Sequence, residues 1–191
     1  MLELIKDAIS SSIKAKEEVL QSAHIHQQIQ KIAEACLKSL KEGGKVVFCG
    51  NGGSFADAQH LTAEFVSRLR FDREPLASIA LGTNSSCMSA IGNDYGYDKV
   101  FTRELLALCT EKDVFIPIST SGNSPNIIDV IKAAKDKGIF IFGFTGGTGG
   151  KMAELCDCII APSNQTEKIQ EVHIMLGHII CYLVEKEYFK K

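Results

Sequence analysis

Apolar residues recur along this chain in two rhythms. Near the start, Leu2, Ile5, Ile9 and Ile13 return every three to four positions, and Ile25, Ile29, Ile32, Cys36, Leu37 and Leu40 make a denser stripe. That spacing puts each set on one side of a helix, and Gly43-Gly44 stops the second helix. Beyond it come short unbroken apolar runs at 45–49, 76–81, 114–118, 139–144 and 158–161. Runs without polar alternation fit strands covered on both faces. Helical stretches separate them: 54–70, 84–91, 98–109, a segment from Pro125 onwards, and 167–187 with Thr166 or Asn164 as its cap. The alternation predicts an α/β fold, a three-layer sandwich with a five-stranded parallel sheet flanked by helices. One domain is expected over 1–191, with a helix pair in 1–43 and the α/β core in 44–191. The pair either covers the sheet or joins copies of the chain, and its pattern serves both.

Composition narrows the partners. A chain of 191 residues suits one domain with a sizeable core. The net charge is −2 with the charges scattered, so nothing favours nucleic acid or an anionic membrane. No apolar run approaches the roughly 20 residues of a membrane span. Met1-Leu-Glu-Leu-Ile-Lys-Asp7 does not read as a signal peptide, so a cytoplasmic protein is expected. Seven cysteines, at 36, 49, 87, 109, 156, 158 and 181, lack the spacing of a metal knuckle or a disulfide framework. Cys156 and Cys158 read as alternate positions on a strand, and buried reduced thiols are expected.

Two loops carry the polar chemistry. The run at 114–118 leads into Ser119-Thr-Ser-Gly-Asn-Ser124, with hydroxyls at Ser119, Thr120, Ser121 and Ser124. Ser124 suits an N-cap, Pro125 the first helical position, and Gly122 a sharp turn. An ordinary capped turn needs one hydroxyl. Four of them, beside the free N–H groups of a helix N-terminus, point to an anion such as phosphate. The other loop, Gly50-Asn-Gly-Gly53, opens a helix at Ser54, with Asp57 completing a partial capping box. A dinucleotide fingerprint would need glycine at 50, 52 and 55, and position 55 is Phe. No Lys-Ser/Thr pair completes a P-loop. A sugar hydroxyl or phosphate therefore suits this loop better than a nucleotide. Gly92-Asn-Asp-Tyr-Gly96 reads as a polar turn, and Thr145-Gly-Gly-Thr-Gly-Gly150 as a flexible loop.

His60 and Glu64 lie four apart on one helix face, either as an exposed pair or as co-ligands. On the final helix Gln170, Ile174, Gly177, His178 and Cys181 share a face. Ile169, Val172, Leu176, Ile179, Ile180 and Leu183 cover most of the rest. Such a helix is buried. His178 then reads as a buried imidazole, either a satisfied core histidine or a site residue.

Taken in order, these motifs carry a resemblance. Cys49-Gly-Asn-Gly-Gly-Ser54, Asp57-Ala-Gln-His-Leu-Thr-Ala-Glu64, Gly92–Gly96, Ser119–Ser124 and Ile169-Gln-Glu-Val-His173 through His178 are similar to those of the phosphoheptose isomerases of the sugar-isomerase (SIS) superfamily, over nearly the whole chain. The resemblance implies a cytoplasmic bacterial homotetramer that converts sedoheptulose 7-phosphate into D-glycero-D-manno-heptose 7-phosphate, for the heptose of lipopolysaccharide core or related glycans. It implies that Ser119, Thr120, Ser121 and Ser124 hold the phosphate. Asn51, Gly52, Gly53, Ser54, Glu64, Asn93, Asp94 and Gln170 would contact the substrate, and Glu64 and His178 would move protons. Zinc would sit on His60, Glu64, Gln170 and His178, with no nucleotide or redox cofactor. Leu81-Gly-Thr-Asn-Ser-Ser86 and Glu167-Lys168 depart from the family pattern. The competing reading is a related adaptor that associates with the replication initiator DnaA. His60, Glu64 and His178 together favour the enzyme, since an adaptor has no need of a proton-transfer pair. A sugar-phosphate-sensing regulator would need an attached DNA-binding domain.

Overall fold

Every residue of β1 (Val46–Gly50) and β3 (Val114–Ile118) is buried, which is why neither run alternates polar with apolar. The two pair in parallel, from Val46 opposite Val114 to Gly50 opposite Ile118. With β2 (Ser78–Ala80), β4 (Phe140–Gly146) and β5 (Asp157–Ala161) they form an all-parallel sheet in the order β2-β1-β3-β4-β5. The computed structural model describes residues 1–190.

Successive strand residues face opposite layers. Val46 and Phe48 meet α2 (Ala23–Lys41), α3 (Gly53–Val66) and α7 (Thr166–Tyr188), whereas Val47 and Cys49 meet α5 (Val100–Leu108) and α6 (Pro125–Asp136). The expected three-layer sandwich is therefore present. Its order also fixes where a ligand can lie. The chain leaves β1 through α3 on one face and leaves β3 through α6 on the other, so the loops after these neighbouring strands part. A crevice at the carboxyl edge follows from that divergence.

The N-terminal helix pair divides its tasks. α2 buries Ile25, Ile29, Ile32, Cys36 and Leu40 against the core. The helix before it, α1 (Leu2–Gln21), buries only Ala15 and Val19 and leaves Leu2, Ile5, Ile9 and Ile13 exposed. Ser12 hydrogen-bonds Glu171 and Lys16 lies 3.7 Å from the same carboxylate, which ties α1 to α7 by its polar side.

Several boundaries differ from the expectations. Gly92–Tyr95 is not a turn but the last part of α4 (Ser85–Tyr95). Its Gly, Asn and Asp are poor helix formers. The helix nevertheless continues from a cap in which Asn84 accepts from Cys87 N–H (3.1 Å), and it ends where Gly96 turns to φ +85°. α3 opens at Gly53 rather than Ser54, with Gly52 as N-cap and no capping box. It also stops at Val66 instead of Arg70, because tertiary bonds take over its end. Arg73 donates to the carbonyls of Glu64 (2.7 Å) and Phe65 (2.8 Å), and buried Glu185 accepts from Leu69 N–H and Arg70 N–H. The N-cap of α7 is Gln165, neither Thr166 nor Asn164. The loop expected over 145–150 begins as strand, since β4 runs to Gly146.

Candidate active site

Three helices point their N-termini at the crevice, and none is capped by a side chain of its own. The N-caps of α3, α6 and α7 are Gly52, Ser124 and Gln165, and no side-chain cap bond forms at any of them. Of the other helices, α2 and α4 are capped by Ser22 and Asn84, while α1 and α5 begin at Met1 and Lys99 without a side-chain cap. A cavity of about 260 Å³ lies where the three ends meet. Asn51, Gly52, Gly53 and Ser54 line one side, Ser119, Thr120 and Ser124 the other, and Gln170 and Thr166 reach it from α7. Uncapped helix ends leave backbone N–H donors and positive dipole ends for an anion.

The loop between β3 and α6 is rigid by construction. Gly122 has φ +63°, and a Cβ there would collide with the Gly149 carbonyl oxygen. Gly122 C=O in turn accepts from Met152 N–H (3.0 Å), and Asn123 Oδ1 accepts from Lys151 N–H (3.1 Å). Ser124 occupies the N-cap as expected, yet its Oγ lies 3.3 Å from Ser119 Oγ instead of capping the helix. Those hydroxyls remain available to a ligand. Ser121 is engaged locally, its Oγ accepting from Asn123 N–H (3.2 Å). Across the cavity Gly53 is needed for contact: a Cβ would come within 2.5 Å of the Gln170 amide.

Asn51 is held by its neighbours. Its amide exchanges two hydrogen bonds with buried Asn126, each 2.9 Å, and accepts a third from Tyr97 OH (3.2 Å). The side chain therefore locks the β1 loop to α6, and a ligand meets the backbone there. Neither Asn126 nor Tyr97 carried a signal in the sequence. Thr166 stood out only as a cap, though a hydroxyl at a helix start is the feature that marks it.

A second cluster lies farther along α3 and α7. His60 Nε2 is 3.1 Å from Glu64 Oε1 and 2.9 Å from His178 Nε2, with the rings edge to face. Among the described residues these are the one group of three His, Cys, Asp or Glu side chains with converging donor atoms. His178 is half-buried rather than buried, and Glu64 is only 16% exposed. The satisfied core histidine is His173 instead, fully buried with Nε2 donating to the Thr145 carbonyl (2.9 Å). One turn before His60, Asp57 is half-buried with Oδ2 unpartnered. Desolvation pushes its carboxyl up to about 6, against the opposing pull of His60.

Two imidazoles and a carboxylate are a donor set that suits zinc. Tetrahedral ligands at the usual bond length stand about 3.3 Å apart, so the 2.9 Å between the two ring nitrogens needs only a small opening. Gln170 lies eight residues before His178 on α7, beside Gly53, and so belongs to the anion cavity of its own chain. Asn93 and Asp94 are apart from both. They share an open hollow of about 540 Å³ with Ser85, Ser86 and Ser89 on α4, a helix that buries no residue.

Known proteins match this arrangement end to end. The SIS domain family matches residues 10–146. A phosphoheptose isomerase of Aneurinibacillus thermoaerophilus is 52% identical over 191 residues, covering 100% of this chain and 96% of that protein. One from Burkholderia pseudomallei is 49% identical, with 100% and 97% covered. The solved structure of a phosphoheptose isomerase from Francisella tularensis superposes with a TM-score of 0.92 at 33% identity, covering 97% of this chain and 98% of that one.

Proposed function

The chain belongs to the SIS domain family and, within it, to the phosphoheptose isomerases, and from that membership we propose that it interconverts sedoheptulose 7-phosphate and D-glycero-D-manno-heptose 7-phosphate. The observation that carries the reading is the pairing of three uncapped helix ends with a carboxylate–imidazole cluster on the same two helices, α3 and α7. The first grips the phosphate, and the second moves protons at the other end of the sugar. Gln170 and His178 are separated by roughly 12 Å of helix, a span on the scale of an extended seven-carbon sugar phosphate.

Ketose–aldose exchange moves one proton from C1 to C2 through an enediol. Glu64, shielded from bulk water, takes the C1 proton of the ketose and returns it to C2 of the aldose. His178 hands a proton between the oxygens at C1 and C2 as the charge on them changes. Ser119, Thr120, Ser121, Ser124 and the N-terminus of α6 hold the phosphate, which fixes where C1 arrives. Asn51 to Ser54 and Gln170 border the sugar. Zinc, when bound, would be held by His60, Glu64 and His178, and would supply Lewis-acid polarisation of the sugar oxygens. Gln170, about 12 Å along α7 from His178, is too far away to complete that ligand set as the resemblance implied.

The working unit is a homotetramer in the cytoplasm, built from one SIS domain per chain with 1–43 as its helix pair. The exposed apolar stripe of α1 supports association, because large apolar patches are seldom left to water, and α4, which buries no residue, offers a polar face for a further contact. Asn93 and Asp94 would then face the active site of a neighbouring copy. Heptose made here serves bacterial surface glycans. No feature of the molecule favours the DnaA-associated adaptor. Incubating the purified protein with sedoheptulose 7-phosphate in deuterated water tests the proposal. The expected product is an aldose carrying deuterium at C2 to the extent that Glu64 exchanges its proton with solvent before returning it, and absence of any aldose overturns it.

A further inference from the structure

We propose that Cys156, Cys158 and Met152 form a three-sulfur binding site for a soft monovalent metal ion of the copper(I) class. The two thiols lie side by side, with Sγ to Sγ 3.6 Å. Gly143 of β4 pairs in register with Cys158. A Cβ built on Gly143 would meet Met152 Cε at 2.6 Å, Cys158 Sγ at 2.7 Å and Cys156 Sγ at 3.3 Å. One missing side chain thus leaves a space that both cysteines and the thioether arm share.

The donor set selects the ion. Three sulfurs around a metal with bonds of about 2.3 Å stand about 4 Å apart, so the 3.6 Å already present between the thiols needs only a small opening. Zinc would want four ligands, and no His, Asp or Glu joins this pair. Among the described residues the one three-membered cluster of that kind is His60, Glu64 and His178. Hard ions need oxygen donors. Two thiolates with a thioether suit copper(I), which accepts low coordination numbers.

Protonation supports the geometry. Cys158 donates its S–H to Cys156, and this bond holds the Cys156 thiol below its ordinary value against the effect of burial, with help from the Gly143 N–H. The same bond, with burial, pushes Cys158 up. Binding the ion would release both thiol protons to solvent and form two metal–thiolate bonds, with the Met152 thioether as a neutral third donor, leaving one net negative charge. The Asp157 carboxylate opposes that charge and Lys135 favours it. Cys156 is only partly buried, so an ion can reach it.

Chelator-washed protein, reduced and kept anaerobic, would be titrated with copper(I) against a chromogenic copper(I) chelator. One tightly held ion per chain is expected, with near-ultraviolet thiolate-to-copper absorption. Cys156→Ser/Cys158→Ser keeps the His60–Glu64–His178 cluster, so copper lost in this variant is copper held by sulfur. The loss should exceed the roughly 10–100-fold typical of changes outside the ligand shell. Met152→Leu keeps the volume, removes the third sulfur and should weaken binding by about tenfold. A folded double-serine variant that takes up copper(I) as tightly as the parent overturns the site. Unchanged affinity in Met152→Leu overturns its three-sulfur form.

Discussion

The two ends of the proposed site, one for the phosphate and one for proton transfer, are built on opposite principles. At the phosphate end the donors are backbone N–H groups and short hydroxyls, fixed by loops with no room to move. Gly122 sits against Gly149, Asn51 is pinned by Asn126 and Tyr97, and Gly53 lies under Gln170. At the proton-transfer end, three long side chains converge mainly on one another, and His60 is 51% exposed. Backbone donors need no partner chain to be in place. Acid–base groups work best where water is kept out, and in one chain nothing covers that side of His60. A single copy therefore holds a finished anion site and an unfinished chemical one.

The largest effect should come from the unfinished end. Glu64→Gln keeps size and most hydrogen bonding but removes the base, so kcat should fall by up to roughly 10⁴-fold. Affinity for substrate should change little, because the phosphate loop is untouched. His178→Gln should show the same split. Near-parental turnover in Glu64→Gln would remove the enediol mechanism and revive the adaptor reading.

Association offers a sharper cut between the ends. Ile5 and Ile9 are 55% and 56% exposed on α1. If a neighbouring copy covers the half of each side chain still exposed, each contributes about 1 kcal/mol to assembly. Ile5→Glu/Ile9→Glu should then lower the mass seen by light scattering from four chains to fewer, and kcat should drop with it. Inorganic phosphate should still bind at parental strength. If phosphate affinity falls in step with kcat, the two ends are not separable and the comparison breaks.

A smaller loss is expected at the finished end. Ser124 makes no cap bond, so Ser124→Ala should leave the fold intact. One hydrogen bond to a charged group is worth roughly 1.5–3 kcal/mol, which predicts about 10–100-fold weaker substrate binding with kcat nearly preserved. Calorimetry with substrate and a thermal melt would read the two separately.

The same division explains what could be read from sequence. The strands were legible because burial on both faces writes an unbroken apolar run, and β3 begins and ends where its run does. The turn after β3 was legible because its signal is local: Gly122 at the bend, Ser124 at the N-cap and Pro125 at the first helical position stand next to one another in the chain. Helix ends were less so. The stop of α3 at Val66 depends on Arg73 and Glu185, seven and 119 residues beyond it, and no local pattern reports such bonds. α4 hid its last turn behind residues of poor helix propensity. Two histidines five apart on α7 could not be told apart by type either. Placement against Thr145 makes His173 the core residue, while His178 meets His60.

That distinction gives the smallest of the expected effects. The His173 ring lies tilted against Phe144, with centroids 5.7 Å apart, and donates Nε2–H to Thr145, but its Nδ1 has no hydrogen-bond partner. Adding a proton there would bury an unpaired charge, so burial pushes its pKa down from 6.5 to about 4, with the Thr145 bond opposing the shift. The unfolded chain takes up this proton near pH 6.5 and the folded one only near pH 4. Between those values the unfolded state binds more protons, so stability from His173 is full above pH 6.5 and is lost as pH falls toward 4. From pH 7 to 5.5 the loss should be about 1 kcal/mol. His173→Gln keeps a donor for Thr145 and cannot titrate. Urea unfolding of both proteins at the two pH values isolates the term, since every other titrating group is common to them. The parent should lose that much more stability than the variant on acidification, and equal losses would mean that His173 takes up its proton alike in the folded and unfolded chain.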